Sequence, residues 1–424
     1  MRNTSTADQV YEFGRNYVGI GFVDFFQIVW GQYKNDDAED KALTFHGYDT
    51  SRVTTLRSKI IYGIMKYYTE EEISTLSLLQ FWFSSCWDLR TKKAFDIVMQ
   101  DALSNYKKYQ LEGEDKPILE KWQKETVSKH QAEQRFSEET KTNENIFGYV
   151  FRMKNETDRV KFCRHLLTGS IFVDEKNIVC GNKTMFANVC GTEKAGGELF
   201  FKAIDLNASR FQKKDCFEDL LFKTIVEVTK NSVNDFRSFV KMGKIVCHLH
   251  TKYVDPEDME FAATIQRLNP HSIDWSNVLD FFEKNNFIRF ARACSVDDTV
   301  HTMHSLNWIW YIYGSSKTDW IESKDEFQKF YDANTEKPLV NIHTKKRLKQ
   351  ADRESMMSFF EKSPYYTNNL RNDISLFLAM YFRKYFEDFF LSEKNGKVLS
   401  RIDLTIPSSF FEQKLHDDSI CVHF

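Results

Sequence analysis

The sequence predicts an α/β fold: a mostly parallel sheet that carries a large, mainly helical insertion and is followed by a C-terminal helical extension. Two observations predict it. Between 244 and 304, apolar runs alternate as strand Lys244 to Tyr253, helix Glu257 to Leu268, strand Ser272 to Trp275, helix Val278 to Ala293 and strand Thr299 to His304. Alternation of this kind signals a parallel sheet covered by helices. Elsewhere the apolar spacing is helical over long stretches, and 424 residues hold only 16 Gly and 6 Pro, which favours long regular elements over linkers.

Taken in order, Tyr17 to Gln32 is dense in Gly and aromatic residues, and Leu43 to Asp49 reads as a strand with Thr50-Ser51 as the following helix start. From Val53 to Tyr109 the spacing is helical, with Ile60, Ile61, Ile64 and Met65 on one face and Leu78, Leu79, Trp82 and Phe83 on another. Glu112 to Asn145 is polar, with Pro117 able to open a helix and Ile118, Leu119, Trp122, Val127 and Phe136 as anchors, and reads as an exposed helix or mobile excursion. Phe147 to Met153, Ser170 to Cys180 and Glu198 to Leu206 have strand or hairpin character, bounded by glycines, and suggest a small β patch. Phe217, Leu220, Leu221, Ile225 and Val228 mark an amphipathic helix leading through Phe236 and Phe239 into the strand at 244. From about Asp319 the spacing is helical again, with a seam of Phe359, Phe360, Ile374, Phe377, Leu378, Tyr381, Phe382 and Phe386. The expected division is therefore 1–65 for the first half of the sheet domain, 66–235 for the helical insert with its β patch, 236–318 for the second half, and 319–424 for the C-terminal helices.

Charge and composition narrow the function classes. Lys and Arg total 58 against 61 Asp and Glu, a formal net charge of -3, so no global field favours nucleic acid. The run Lys345-Lys346-Arg347-Leu348-Lys349 reads as a solvated helix face. The apolar stretch Tyr17 to Trp30 is interrupted by Asp24 and Gln27 and fits neither a signal peptide nor a membrane span, so a cytoplasmic protein is expected. The eight Cys lack a CxxC pair and read as reduced, mostly buried thiols. The sequons at Asn3, Asn155, Asn182 and Asn207 would matter only in a secreted chain, and Cys421-Val422-His423-Phe424 meets a prenylation pattern poorly because His423 stands where an aliphatic residue is wanted.

A nucleotide-type ligand on such a sheet needs a close-approach turn after the first strand, a carboxylate after the second and a polar turn after a later one. Gly19-x-Gly21 with Asp24, then Asp49, then Asp274 with Asn277, occupy those places in that order. The glycines read more readily as packing or turn residues, and Asp49 and Asp274 also as helix caps. His248-x-His250 and His301-x-x-His304 put imidazoles in pairs on a strand face and a helix turn, a metal site only if the segments meet. No GxSxG elbow, Walker loop, HExxH or kinase set is present.

Five blocks carry a resemblance: Gly21-Phe22-Val23-Asp24-Phe25-Phe26, Gly47-Tyr48-Asp49-Thr50-Ser51, Leu79 to Trp87, Ile273-Asp274-Trp275-Ser276-Asn277, and His304-Ser305-Leu306-Asn307-Trp308. The chain resembles a poorly characterised eukaryotic family that joins a Rossmann-like, methyltransferase-like fold to a helical insert, some members with MYND zinc fingers, and that is distantly like axonemal dynein assembly factors. The resemblance implies a cleft for S-adenosylmethionine or a related nucleotide, with Asp49 near the ribose and Asp274, Trp275 and Asn277 near the reacting end. The chain departs from the family in its incomplete glycine loop and its lack of a MYND-type cysteine array.

Two expectations follow. One is a methyltransferase-like binder of S-adenosylmethionine, active or degenerate, acting on a small-molecule or protein substrate. The other is an interaction or assembly protein, with a protein partner or a second copy, built on an aromatic surface of which Phe81, Trp82, Phe83, Trp87, Trp308 and Trp310 are the candidates. Neither involves nucleic acid or a membrane.

Overall fold

A computed structural model describes residues 10–34, 41–140, 156–187, 222–282, 284–297, 299–305, 403–405 and 420–423. The chain divides into two compact units, Met1–Met303 and His304–Phe424. Within the second, strands β10 (Asp403–Thr405) and β11 (Ile420–His423) pair antiparallel. The expected strands at 147–153 and 198–206, the C-terminal seam, the basic run and Trp308 and Trp310 lie outside the described residues.

The sheet of the first unit is built from β2 (Asn16–Ile20), β4 (Leu43–Asp49), β7 (Ile245–Thr251), β8 (Pro270–Asp274) and β9 (Val300–Ser305). All pairings are parallel and the spatial order is β9-β8-β2-β4-β7. By sequence rank that is 3-2-1-4-5 read from β7, so the winding reverses between β2 and β8. A short parallel pair, β1 (Val10–Glu12) with β3 (Gln32–Lys34), stands apart.

Helices cover both faces. Alternation along the strands sends Cys247 and Leu249 one way and His248 and His250 the other. On the first side lie α1 (Phe26–Trp30), α2 (Arg52–Tyr67) and α9 (Phe222–Lys241), locked through Phe25, which rests edge-on to Tyr62 and stacked on Phe236. On the second lie α10 (Met259–Arg267) and α11 (Lys284–Ala293), with Phe261 against Tyr48 and Phe290. Ser51 caps α2 by accepting the Thr54 amide, and Asp258 caps α10 by accepting the Phe261 amide. Helix α9 runs unbroken through 235–236, where a domain boundary is expected, because Val233, Phe236 and Val240 form one buried stripe that serves as the return crossover to β7.

Between α2 and α9 the chain adds α3 (Thr75–Phe83), α4 (Leu89–Ser104), α5 (Lys116–Lys124), α6 (Lys129–Thr140), α7 (Glu156–Thr168) and α8 (Lys183–Phe186) around an antiparallel pair, β5 (Cys86–Asp88) with β6 (Ile178–Gly181). The span read as an exposed helix or excursion holds α5 and α6, and its anchors Ile118, Leu119, Trp122, Val127 and Phe136 are all buried. The expected aromatic surface is interior too: Phe81, Trp82, Phe83 and Trp87 are at most 3% exposed. They face α1 and α4 through Phe26 and Phe95, so one helix supplies two neighbours and both its faces are consumed. Asn182 is fully buried, capping α8 and donating to the Ser84 carbonyl at 2.9 Å, so its sequon is closed to glycan. Cys86, Cys163, Cys180, Cys247 and Cys294 are free thiols, and no helix among the described residues is long and apolar enough to cross a membrane.

Candidate functional site at the strand ends

In open α/β sheets the crevice outside the carboxyl ends of the strands, at the point where the order reverses, is where ligands bind. Here that point lies between β2 and β8. The chain leaves β2 through Gly21 at φ +83° and leaves β8 through Ser276 at φ +50°. The Gly21 amide donates to the Tyr48 carbonyl at 2.8 Å, and the Val278 amide to the Trp275 carbonyl at 3.0 Å. A Cβ on Gly21 would sit 2.6 Å from Val278 Cγ2. Glycine is required there twice, for its backbone and for the close approach of the two turns.

Gly19 is extended, and a Cβ on it would strike the Phe22 ring at 2.7 Å, so the side chain of the first loop folds back over the strand. Gly47 likewise lies under Val23, whose Cα would be 3.0 Å from a Cβ built on the glycine. Both glycines seat the β2 loop on the sheet. Asp24 accepts the Phe26 amide at 2.9 Å and, at 3.4 Å, the Trp82 indole N–H, so it starts α1 and ties it to the insert.

Asp49 ends the second strand and accepts the Ser51 amide at 2.7 Å, while Ser51 is the cap of α2. It therefore braces the turn and stays partly exposed at the strand end. Asp274 pairs across the sheet with Gly19 on one side and Thr302 on the other. Its carboxylate accepts the Ser276 amide at 2.8 Å and a hydrogen bond from Thr302. Burial outweighs both and pushes its pKa up to about 6. Tyr11, buried in β1, lies close enough to feel that charge, and burial with Asp274 holds its phenol protonated far above the ordinary range.

Strand parity separates Trp275 from Asp274. The Trp275 ring is fully buried on the opposite side, edge-on to Phe287 and stacked on His301. Its indole N–H donates to His301 Nδ1 at 2.8 Å, which leaves Nε2 to carry the proton toward Ser295 Oγ at 2.7 Å, and Ser295 in turn donates to the Ala291 carbonyl. Burial pulls the His301 pKa down to about 3, so the imidazole is neutral and its tautomer fixed by its partners. The ring of Trp275, expected at the cofactor, packs on His301, and its backbone carbonyl is the part that comes within 4.0 Å of a Cβ built on Gly21. Asn277, partly exposed, lies on that turn with Ser276 Oγ at 3.4 Å from its Oδ1.

His248 and His250 lie on β7 and His301 on β9, at opposite ends of the five-strand order, and 300–305 is a strand rather than the expected helix turn. His248 stacks on His46 and His250 on Tyr48, and no group of three or more metal-ligating side chains forms among the described residues. Sequence reasoning missed Phe22, Thr302 and Tyr11. Thr302 was within reach, since a threonine in the strand after Asp274 is where a cross-strand hydroxyl would fall; Tyr11 was not, because β1 is too short to show a period.

No protein-family model, no curated protein and no solved structure matches this chain.

Proposed function

We propose that the chain is a methyltransferase-like protein that binds S-adenosylmethionine, or a related nucleotide cofactor, at the carboxyl ends of β2, β4 and β8. The observation that carries this reading is the strand order with its reversal between β2 and β8, flanked by Asp49 and Asp274 at strand ends. That order is the one found in doubly wound, Rossmann-like nucleotide-binding folds, where an acidic residue after the second strand takes the ribose hydroxyls. Asp49 fills that role, and the Gly21 turn lines the approach. Asp274 and Asn277 stand on the neighbouring turn toward the reacting group. A carboxyl that titrates near 6 is suited to take a proton from a nucleophile at neutral pH.

Titration calorimetry with S-adenosylmethionine and with its demethylated product tests the cofactor directly. Saturable heat is expected with at least one, and Asp49→Ala should weaken it by roughly tenfold or more, the loss expected for hydrogen bonds to a charged group. Absence of heat with both ligands in folded protein would remove the reading.

The second reading, an interaction or assembly protein in the cytoplasm, keeps one observation of its own. Phe281 is 73% and Tyr253 69% exposed, and both follow strand ends, in the connections after β8 and β7. Light scattering and co-purification of Phe281→Ser and Tyr253→Ser would separate the readings: a lost partner or lost self-association favours assembly.

A further inference from the structure

Far from the strand ends, the end of α2 and the turn after α4 enclose a cation on three aromatic sides. Lys108 Nζ lies 4.9 Å from the centroid of Tyr67, 5.4 Å from Tyr68 and 5.5 Å from Tyr109, all within the range of cation–π attraction. Asp101 closes the fourth side, with its Oδ2 2.5 Å from the ammonium. The same carboxylate accepts the Tyr68 hydroxyl at 2.8 Å and the Tyr109 hydroxyl at 2.6 Å. Those donors and Lys108 hold Asp101 well below the ordinary carboxylate range despite its loss of solvent, so its carboxylate is ionised at every physiological pH.

The walls stand without the lysine. Tyr68 and Tyr109 are buried and pinned to Asp101, and Asn105 supplies a further donor to Oδ1 at 2.7 Å. The place of the Tyr109 ring is also cut into α2: a Cβ on Gly63 would fall 2.3 Å from it. A glycine inside a 16-residue helix weakens that helix, and here it makes room for an aromatic wall. The mouth is open, with Tyr67 37% exposed and the Lys108 side chain 33%. A long, half-exposed lysine on a short turn can swing out while the three rings and the carboxylate remain.

The geometry points to an ammonium-binding cage of Tyr67, Tyr68, Tyr109 and Asp101, occupied by Lys108 as an internal plug, that accepts a quaternary ammonium group when the plug withdraws. Three aromatic faces and one carboxylate are the chemistry that recognises choline and methylated lysine. The neighbouring Lys66, 5.4 Å over Tyr67, adds a cation at the rim and favours a ligand whose remaining part is neutral or acidic.

The test uses the full chain with Lys108→Ala and, as a second short neutral side chain should that variant fail to fold, Lys108→Ser. Tetramethylammonium is titrated while tyrosine ring shifts are followed by NMR, with choline and N-acetyl-trimethyl-lysine amide as further arms to separate a free ligand from a side chain. Saturable binding is expected in whichever variant folds, at least about tenfold tighter than in the parent, or about 1.4 kcal/mol, and lost on adding Tyr67→Ala. A folded variant that shows no saturable shift, or one whose shift survives Tyr67→Ala, overturns the proposal.

Discussion

Two aspartates, Asp274 at the sheet end and Asp101 in the helical insert, show what separates the two regions. Asp274 receives one backbone amide and one hydroxyl, too little to offset its burial, and so its pKa rises to about 6. Asp101 receives a lysine, two phenols and a carboxamide, and is driven the other way. The balance of donors against desolvation decides the direction in each case. The sheet end leaves a carboxyl able to exchange protons, whereas the insert commits its carboxylate to holding side chains in place.

The sharpest way to break that comparison is through the insert's packing. Trp87 is fully buried between Phe81 and Phe95 and donates its indole N–H to the Gln80 carbonyl at 3.2 Å. Trp87→Ala should cost roughly 3–5 kcal/mol, the range for deleting a large buried aromatic, read as a lower urea midpoint. If the insert is a separate layer from the sheet end, S-adenosylmethionine affinity of the surviving folded fraction stays unchanged; a matching loss of affinity would join the two regions.

Next in size is Asp101→Ala, which strands two buried phenols and a lysine and should destabilise by about 1.5–3 kcal/mol. Asp101→Asn retains an acceptor and should lose less in urea unfolding. Equal losses in the two variants would mean that charge, not hydrogen bonding, is what the insert requires there.

At the sheet end the corresponding backbone test is Gly21→Ala. Its φ of +83° and the Val278 methyl in its path predict a loss of about 1–3 kcal/mol, the usual cost of such strain, and with it loss of ligand heat in calorimetry. Stability unaffected by the change would show that the two turns are free to move apart.

How much of this was legible differs between the regions for the same physical reason. Strand β4 was readable as Leu43 to Asp49, and β7, β8 and β9 to within a few residues, because each is a short apolar run ended by a polar turn. Which way a side chain points was also encoded: adjacent residues of a strand oppose each other, which separates Trp275 from Asp274. The insert resisted because its order comes from contacts distant in sequence. Nothing local in Phe81-Trp82-Phe83 tells that Phe26 and Phe95 arrive from either side, and the polar look of 112–140 hides five anchors that pack only once α5 and α6 are laid on their neighbours. The Lys108 cage is of the same kind, since residues 67, 68, 101 and 109 meet only when α2 and α4 are in place.

The smallest expected effect is the most discriminating, because it reads the Asp274 proton directly. Unfolded, a carboxyl titrates near 3.9 and an imidazole near 6.5. The folded Asp274 value of about 6 is raised, so between about pH 4 and 6 the native state keeps a proton that the unfolded chain has released, and stability from this group is lost as pH rises. His301 at about 3, His165 at about 3 and His46 at about 4 are depressed, so below about 6.5 the unfolded chain alone takes up their protons and stability falls with acid. The two slopes oppose each other. Asp274→Asn removes only the first: its Oδ1 still accepts the Ser276 amide, and the Thr302 hydroxyl can turn to accept from the new amide. Unfolding free energies from urea titrations at pH 4 to 7.5 should therefore coincide with the parent near pH 4 and exceed it at pH 7 by on the order of 1 kcal/mol, with a steeper rise between. A difference that stays flat across that range would place the Asp274 carboxyl among ordinary ionised carboxylates and take from the sheet end the property that sets it apart from the insert.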